Sequence, residues 1–196
     1  MADPWLIAGL GNPGERYART RHNVGHMVVA RLCDRLGVSL RKVRFVAATA
    51  AEARTDDTPL LLAQTTTFMN DSGPPLASLV RKRTVPSERL IVVHDEIDLT
   101  FGALRVKFGG STAGHNGLNS LVSALRTPEF HRVRIGVGRP PGRRDPIDYV
   151  LSPFSARERE ELDVLLEDAA DAALSLVTDG LAVPQDRYNR GGTGNR

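Results

Sequence analysis

The stretch Trp5-Leu6-Ile7-Ala8-Gly9-Leu10-Gly11-Asn12-Pro13-Gly14, with Arg21-His22-Asn23 a short way beyond, decides how this chain is read. An apolar run opening into a tight Gly/Pro turn is the pattern of a buried strand that stops abruptly. In open α/β sheets, ligands sit beyond the carboxyl ends of the strands, so Asn12 at the strand end and His22 just past it are candidate site residues. Gly9-x-Gly11-x-x-Gly14 also has the spacing of a dinucleotide fingerprint, and Asp34 lies where that fingerprint wants an acid. The context does not fit. Glu15–Arg21 lacks apolar periodicity where a helix should begin, and Asp34 falls inside a helical pattern rather than at the end of a second strand. No nucleotide cofactor is expected.

Working outward, strand-like runs recur at Leu6–Leu10, Arg44–Ala50, Pro59–Gln64, Leu90–His94, Leu104–Phe108 and Val133–Val137. Helical patterns lie between them. Val24, Met27, Val28, Leu32 and Leu36 share a face and Gly37 follows as a stop. Ser72 is placed to cap a helix that carries Leu76, Leu79 and Val80, with Pro74 and Pro75 near its first turn. Asn116 is expected to cap a helix through Leu118, Leu121 and Leu125, which Thr127-Pro128 ends. Leu162, Leu165, Leu166, Ala169, Ala173 and Val177 define a long amphipathic helix with an acidic outer face. This alternation argues for an α/β sandwich around a mixed sheet.

The length of 196 residues favours one domain, and 41% hydrophobic with 25% charged residues is ordinary for a globular protein. The single cysteine, Cys33, rules out an intrachain disulfide and fits a reducing cytosol. It lies in an apolar-periodic run and reads as a buried thiol. Met1-Ala2-Asp3-Pro4 lacks the features of a signal peptide, and no apolar run approaches the ~20 residues of a membrane helix. The tail 190–196 is Gly-rich and expected to be disordered. Net charge is only +3, but it is unevenly spread. Between Phe101 and Arg144, eight basic residues face the single acid Glu129, whereas Ser155–Gly180 holds eight acids and two arginines. The basic half suits a polyanionic partner.

Four further segments bear on chemistry. Leu90–Asp98 is a β-branched strand that ends in His94-Asp95-Glu96, so Asp95 or Glu96 could orient a histidine. Gly109-Gly110-Ser111-Thr112-Ala113-Gly114-His115-Asn116-Gly117 is a Gly-rich loop entering a helix, a setting that favours anions. Thr65–Gly73 offers Phe68 and Met69 beside the amide of Asn70. His22 and His26 stand four apart, but Asn23 occupies the place where a zinc hydrolase carries its glutamate, and no third ligand follows, so no metal is expected. There is no Gly-x-Ser-x-Gly elbow. One histidine, one acid and several amides suit general-base activation of water against an uncharged ester or peptide.

Together, Gly9–Gly25, Thr66–Gly73, His94–Asp98, Gly109–Leu118 and Phe130–Gly138 resemble the bacterial peptidyl-tRNA hydrolase family, in order and spacing, over roughly Leu6 to Leu151. The resemblance implies a single-domain three-layer α/β sandwich over 1–189, its mixed twisted sheet flanked by helices, in a cytoplasmic, metal-free monomer. It implies cleavage of the ester joining a peptide to the 3′ ribose of tRNA, and so peptidyl-tRNA as partner. His22 matches the catalytic base, Asp95 the acid that orients it, and Asn12 the amide that contacts the scissile end of the peptide. Tyr17, Phe68, Asn70 and Asn116 match positions that contact the peptidyl and tRNA 3′ ends, with Met69 and His115 in the same groove. Lys107 and Arg134 match residues that meet tRNA phosphates. One departure stands out: Ser111 and Ala113 replace two glycines of the usual loop, where any positive φ would be strained.

Overall fold

A computed structural model describes residues 3–189; the expected tail 190–196 lies outside the described residues. The elements in chain order are β1 (Trp5–Gly9), α1 (Val24–Leu36), β2 (Arg41–Lys42), β3 (Ala48–Thr55), β4 (Thr58–Thr65), α2 (Gly73–Lys82), β5 (Leu90–Glu96), β6 (Leu104–Phe108), α3 (Asn116–Leu125), β7 (His131–Gly136), α4 (Pro146–Val150), α5 (Ala156–Thr178) and α6 (Ala182–Asn189). The strands form one seven-stranded sheet in the order β2-β3-β4-β1-β5-β7-β6. The central pairs β4–β1, β1–β5 and β5–β7 are parallel, and the flanking pairs antiparallel.

Alternation along each strand builds two cores. From β1, Ile7 faces a cluster with Val28 and Leu32 of α1 and Leu165, Ala169 and Ala173 of α5. Leu6 and Ala8 face the other way, onto Leu76 and Leu79 of α2 and Leu118 and Leu121 of α3. The result is the expected sandwich of helices on both faces of a mixed sheet. β5 is buried along its whole length, as a central parallel strand must be. At the β6 edge, Val106 N–H donates to Asn189 Oδ1 and Asn189 Nδ2 donates to Val106 O, both at 2.8 Å, so a side-chain amide stands in for a missing strand.

Several local expectations hold. α1 ends where Gly37 takes up a left-handed φ of 64°, and Cys33 is buried. Others are corrected. Of the run Arg44–Ala50 only Ala48–Ala50 are strand, the start of β3; the preceding residues form a turn in which Phe45 has φ +63°. Asn116 is the first residue of α3 rather than its cap; the cap is His115, whose Nδ1 accepts from Leu118 N–H at 3.3 Å. Ser72 makes no side-chain cap to α2; Gly73 N–H is instead met by Ser120 Oγ at 2.9 Å. The acids of α5 are not simply a solvated face. Asp163 and Glu167 pair with Arg31, and Glu167 and Asp171 with Arg35, binding α5 to α1.

Two glycines seat α1 on the sheet. A methyl group on Gly9 would lie 2.2 Å from Gly25 O, and one on Gly25 would lie 2.3 Å from Val93 O. Only hydrogen at both positions lets the first turn of α1 rest flush on β1 and β5. The turn Arg21–Asn23 that leads into α1 is thereby carried over the end of β5.

Candidate active site

The carboxyl ends of β1 and β5 are tied together by Leu10 N–H donating to Val93 O at 3.0 Å. Beyond them, the Gly/Pro turn is stitched to the histidine turn by one side chain. Asn23 Oδ1 accepts from Asn12 N–H at 2.9 Å and Asn23 Nδ2 donates to Asn12 O at 2.8 Å. The Asn12 side chain is oriented in turn, because its Oδ1 accepts from Met69 N–H at 2.7 Å. A backbone N–H can only donate, so the oxygen of that amide is assigned and Nδ2 is its remaining donor.

His22 Nδ1 lies 2.9 and 3.0 Å from the two oxygens of Asp95, which is 2% exposed. A buried carboxylate can only accept, so Nδ1 carries the proton and Nε2 keeps its lone pair. His115 Nε2 approaches the same Asp95 Oδ1 at 3.0 Å. Because His115 Nδ1 accepts from Leu118 N–H, its proton sits on Nε2 and it too donates to Asp95. A third imidazole, His94, sets its Nδ1 against Asp95 O at 2.7 Å, and burial, the largest influence on it, pushes its pKa well below 6.5.

These contacts set the electrostatics. Burial alone lowers the His22 pKa, but the Asp95 charge and hydrogen bond outweigh it and hold His22 above 6.5. For Asp95, burial acts upward, yet its electrostatic and hydrogen-bond contacts with the His22 and His115 imidazoles hold it well below the ordinary carboxylate range. His22, Asp95 and His115 place three potential metal-ligand atoms within 4.8 Å of one another. Asp95 lies within hydrogen-bond distance of both imidazoles, at 2.9 and 3.0 Å, so the trio reads as a hydrogen-bonded cluster. His26 does not join it: His22 lies in a 3-10 turn ahead of α1, which breaks the four-residue helical relation. Instead the His26 ring packs under the turn, where a methyl on Gly11 would come within 2.7 Å of it, and burial lowers its pKa to about 4.

These groups open into a groove of about 440 Å³. Asn12, Tyr17, His22, Phe68, Met69, Asn70, Asp95, His115 and Asn116 all line it, so nine of the sequence candidates converge from four separate segments. Tyr17 and Phe68 meet edge to face at 6.1 Å between ring centroids, forming an aromatic lip. Ala113, on the rim, adopts φ +49°. That conformation costs a non-glycine residue about 1–2 kcal/mol. Ser111 is not in the positive-φ region, and its Oγ accepts from Ala113 N–H at 3.1 Å.

Lys107 and Arg134 do not line the groove. They stand on β6 and β7 beside it, with Arg134 held by Glu96 at 3.0 Å and Lys107 Nζ donating to Ser111 O at 3.2 Å. Burial, then the charges of Arg132 and Arg134, push the Lys107 ammonium pKa down, the mark of a crowded cationic cluster that an anion would relieve. Arg132 itself is fully buried, bonded to the carbonyls of Gly110 and Ser111, and so props up the loop from beneath.

Sequence reading missed two parts of the site. Asn23 is a structural clamp with no periodic signal. The far wall of the groove comes from Pro146, Ile147, Val150 and Leu151, on and after α4. Its signal was the Asp145-Pro146 pair: Asp145 Oδ1 accepts from Ile147 N–H at 2.7 Å as a helix cap. Arg21 fastens this wall to the histidine turn. Its guanidinium bonds Ser152 Oγ and Pro153 O at 2.8 Å, pairs with Glu158 at 2.6 Å, and lies 4.1 Å from the centre of the Tyr149 ring.

Comparison with known proteins bears on the chain as a whole. The model of the family described as peptidyl-tRNA hydrolase matches residues 6–195. The chain is 51% identical over 186 residues to a peptidyl-tRNA hydrolase of Frankia alni, covering 95% of this chain and 94% of that one. It is 50% identical over 189 residues to a peptidyl-tRNA hydrolase of Mycobacterium marinum, covering 96% and 99%. A crystal structure of peptidyl-tRNA hydrolase from Acinetobacter baumannii superposes with a TM-score of 0.89 at 32% identity, covering 96% of both chains. A match to the family model over residues 6–195, with about half of the aligned residues identical to relatives covered over nearly their whole length, places this chain in the peptidyl-tRNA hydrolase family.

Proposed function

We propose that the chain hydrolyses the ester between a peptide and the 3′ ribose of tRNA, with His22 as general base. The observation that carries this reading is the Asp95–His22 contact at 2.9 Å on the floor of a groove walled by the amides of Asn12, Asn70 and Asn116. His22 Nε2, which has no hydrogen-bond partner among the described residues, takes a proton from water as the oxygen attacks the ester carbonyl. Asp95 keeps the imidazole in the reactive tautomer and stabilises the imidazolium that forms. Asparagine N–H groups donate to the developing oxyanion; each such donor is worth about 2.7–4 kcal/mol of barrier. The tetrahedral intermediate collapses with cleavage of the bond to the ribose oxygen, which receives the proton from His22. No step needs a metal ion.

Asn12 presents Nδ2 to the peptide side, and its fixed orientation suits it to recognise the acyl group. Tyr17, Phe68, Met69 and His115 supply groove contacts on either side of the ester. The protein works as a cytoplasmic monomer whose single domain spans 1–189. No helix among the described residues is long and apolar enough to cross a membrane. The test is hydrolysis of N-acetyl-aminoacyl-tRNA beside free aminoacyl-tRNA. Release of tRNA from the first alone is expected; failure to cleave it would defeat the reading.

Lys107 and Arg134 meet tRNA phosphates on the flank. Replacing both with alanine is expected to raise KM with kcat nearly unchanged, and to flatten the slope of log affinity against log salt by about 1.8, since each phosphate contact contributes about 0.9. A fall in kcat alone would remove them from the phosphate path.

A further inference from the structure

Among the described large apolar side chains Phe45 is the most exposed, at 87%. Its backbone is left-handed, with φ +63°. Neither burial nor conformational preference accounts for phenylalanine at this position; glycine or asparagine would suit the turn better. The turn stands at the carboxyl end of β4, where Thr66 N–H donates to Ala47 O at 2.9 Å, two residues before Phe68 of the groove.

One cation stacks on the ring and others stand on the neighbouring elements. Arg44 places its guanidinium carbon 4.6 Å from the Phe45 centroid. Lys82 Nζ donates to Arg44 O at 2.8 Å. Arg41 and Lys42 are exposed and, among the described residues, have no acidic partner. With Arg83 they line an open hollow of about 700 Å³ whose one acid among the described residues, Glu52, is paired with Arg83 at 2.5 Å. This hollow lies at the β2 edge of the sheet, and Lys107 is on β6 at the opposite edge. Six strand spacings of ~4.8 Å separate the edges by about 29 Å, so the two cationic clusters cannot meet the same phosphate.

We propose that the β2 edge is a second RNA-contact surface, where an unpaired base stacks on the open face of Phe45 and neighbouring phosphates meet Arg41, Lys42, Arg44 and Lys82. An exposed ring next to a cation-lined hollow matches the alternation of base and phosphate in a single strand. An acidic polypeptide would use the charges but leave the strained ring unexplained. The expectation of RNA rests on the peptidyl-tRNA reading, and the two fail separately under experiment.

The test measures binding of a fluorescein-labelled 12-nucleotide oligo(A) RNA by anisotropy, in a Lys107→Ala/Arg134→Ala background so that the flank does not mask the edge. Phe45→Gly is expected to weaken binding about tenfold while leaving the melting temperature unchanged or raised, because glycine is unstrained at this φ. Arg41→Ala/Lys42→Ala is expected to weaken binding and flatten the salt slope by about 1.4. Otherwise wild-type chains carrying either change should hydrolyse N-acetyl-aminoacyl-CCA trinucleotide normally. Undiminished RNA binding by Phe45→Gly overturns the proposal. So does competition by poly-glutamate that is equally sensitive to Phe45→Gly, which would assign the edge to an acidic polypeptide. Lack of hydrolysis by the wild type would defeat the catalytic reading alone, since the oligonucleotide measurement does not depend on it.

Discussion

Replacing His22 with alanine is expected to leave a folded chain that hydrolyses N-acetyl-aminoacyl-tRNA about 10²–10⁴-fold more slowly, the usual contribution of a positioned general base. The loss should fall on kcat, because the imidazole acts on water rather than on the body of the tRNA. Alanine also removes one of the two imidazole N–H groups that satisfy Asp95, so some stability is lost with it, on the order of 1–3 kcal/mol for a buried acceptor deprived of a partner. His22→Asn separates the two effects. The asparagine Nδ2 can stand near the place of imidazole Nδ1, 2.9 Å from Asp95, and keep the hydrogen bond. No atom then replaces Nε2. His22→Asn should therefore melt close to the wild type and still be as inactive as His22→Ala. Near-wild-type kcat in a folded His22→Asn protein would remove His22 as base.

How far the sequence carried this site depends on the range of the signals. The strand β6 and the stop of α1 at Gly37 were legible because period and turn chemistry are local. The strand β3, next to the short edge strand β2, was not. Its sequence, Ala48 to Thr55, is poor in large apolar residues because part of it faces solvent. Meanwhile Val43 and Val46 supply apolar residues to a turn that tucks them against the core. Residue types at strand ends marked the catalytic candidates, but only the family resemblance paired His22 with Asp95; physically, the choice between Asp95 and Glu96 is made by strand register and by the seating of α1 on Gly9 and Gly25. Glu96 turns to Arg134 instead. Asn23 and His115 illustrate the limit. Each has a role set by one backbone group distant in sequence or by a helix terminus, Asn12 for the first and Leu118 N–H with Asp95 for the second. α4 is five residues long, too short for periodicity to mark it as the groove's far wall.

Asp95→Asn is expected to cost about as much activity as loss of the base itself, about 10²–10⁴-fold at pH 8, for a reason that lies in proton positions rather than packing. His115 is committed to donating from Nε2, because Leu118 N–H occupies its Nδ1. The asparagine must therefore keep its oxygen toward His115, at the place of Oδ1, and its NH₂ falls at the place of Oδ2, 3.0 Å from His22 Nδ1. That amide now donates to Nδ1, which favours the His22 tautomer with the proton on Nε2 and no lone pair for water. The same change should be visible in the pH profile, with a definite sign. In the wild type the Asp95 charge holds the His22 pKa above 6.5, so kcat falls as the pH drops through that raised value. Without the charge, burial remains and acts downward, so the acid limb of the variant should move below pH 6.5. The ratio of wild-type to variant activity should then shrink between pH 8 and pH 6. His94 cannot supply this limb, since burial keeps it neutral throughout the range. An Asp95→Asn protein whose acid limb coincides with that of the wild type would show that the limb belongs to another group, and that Asp95 does not tune His22.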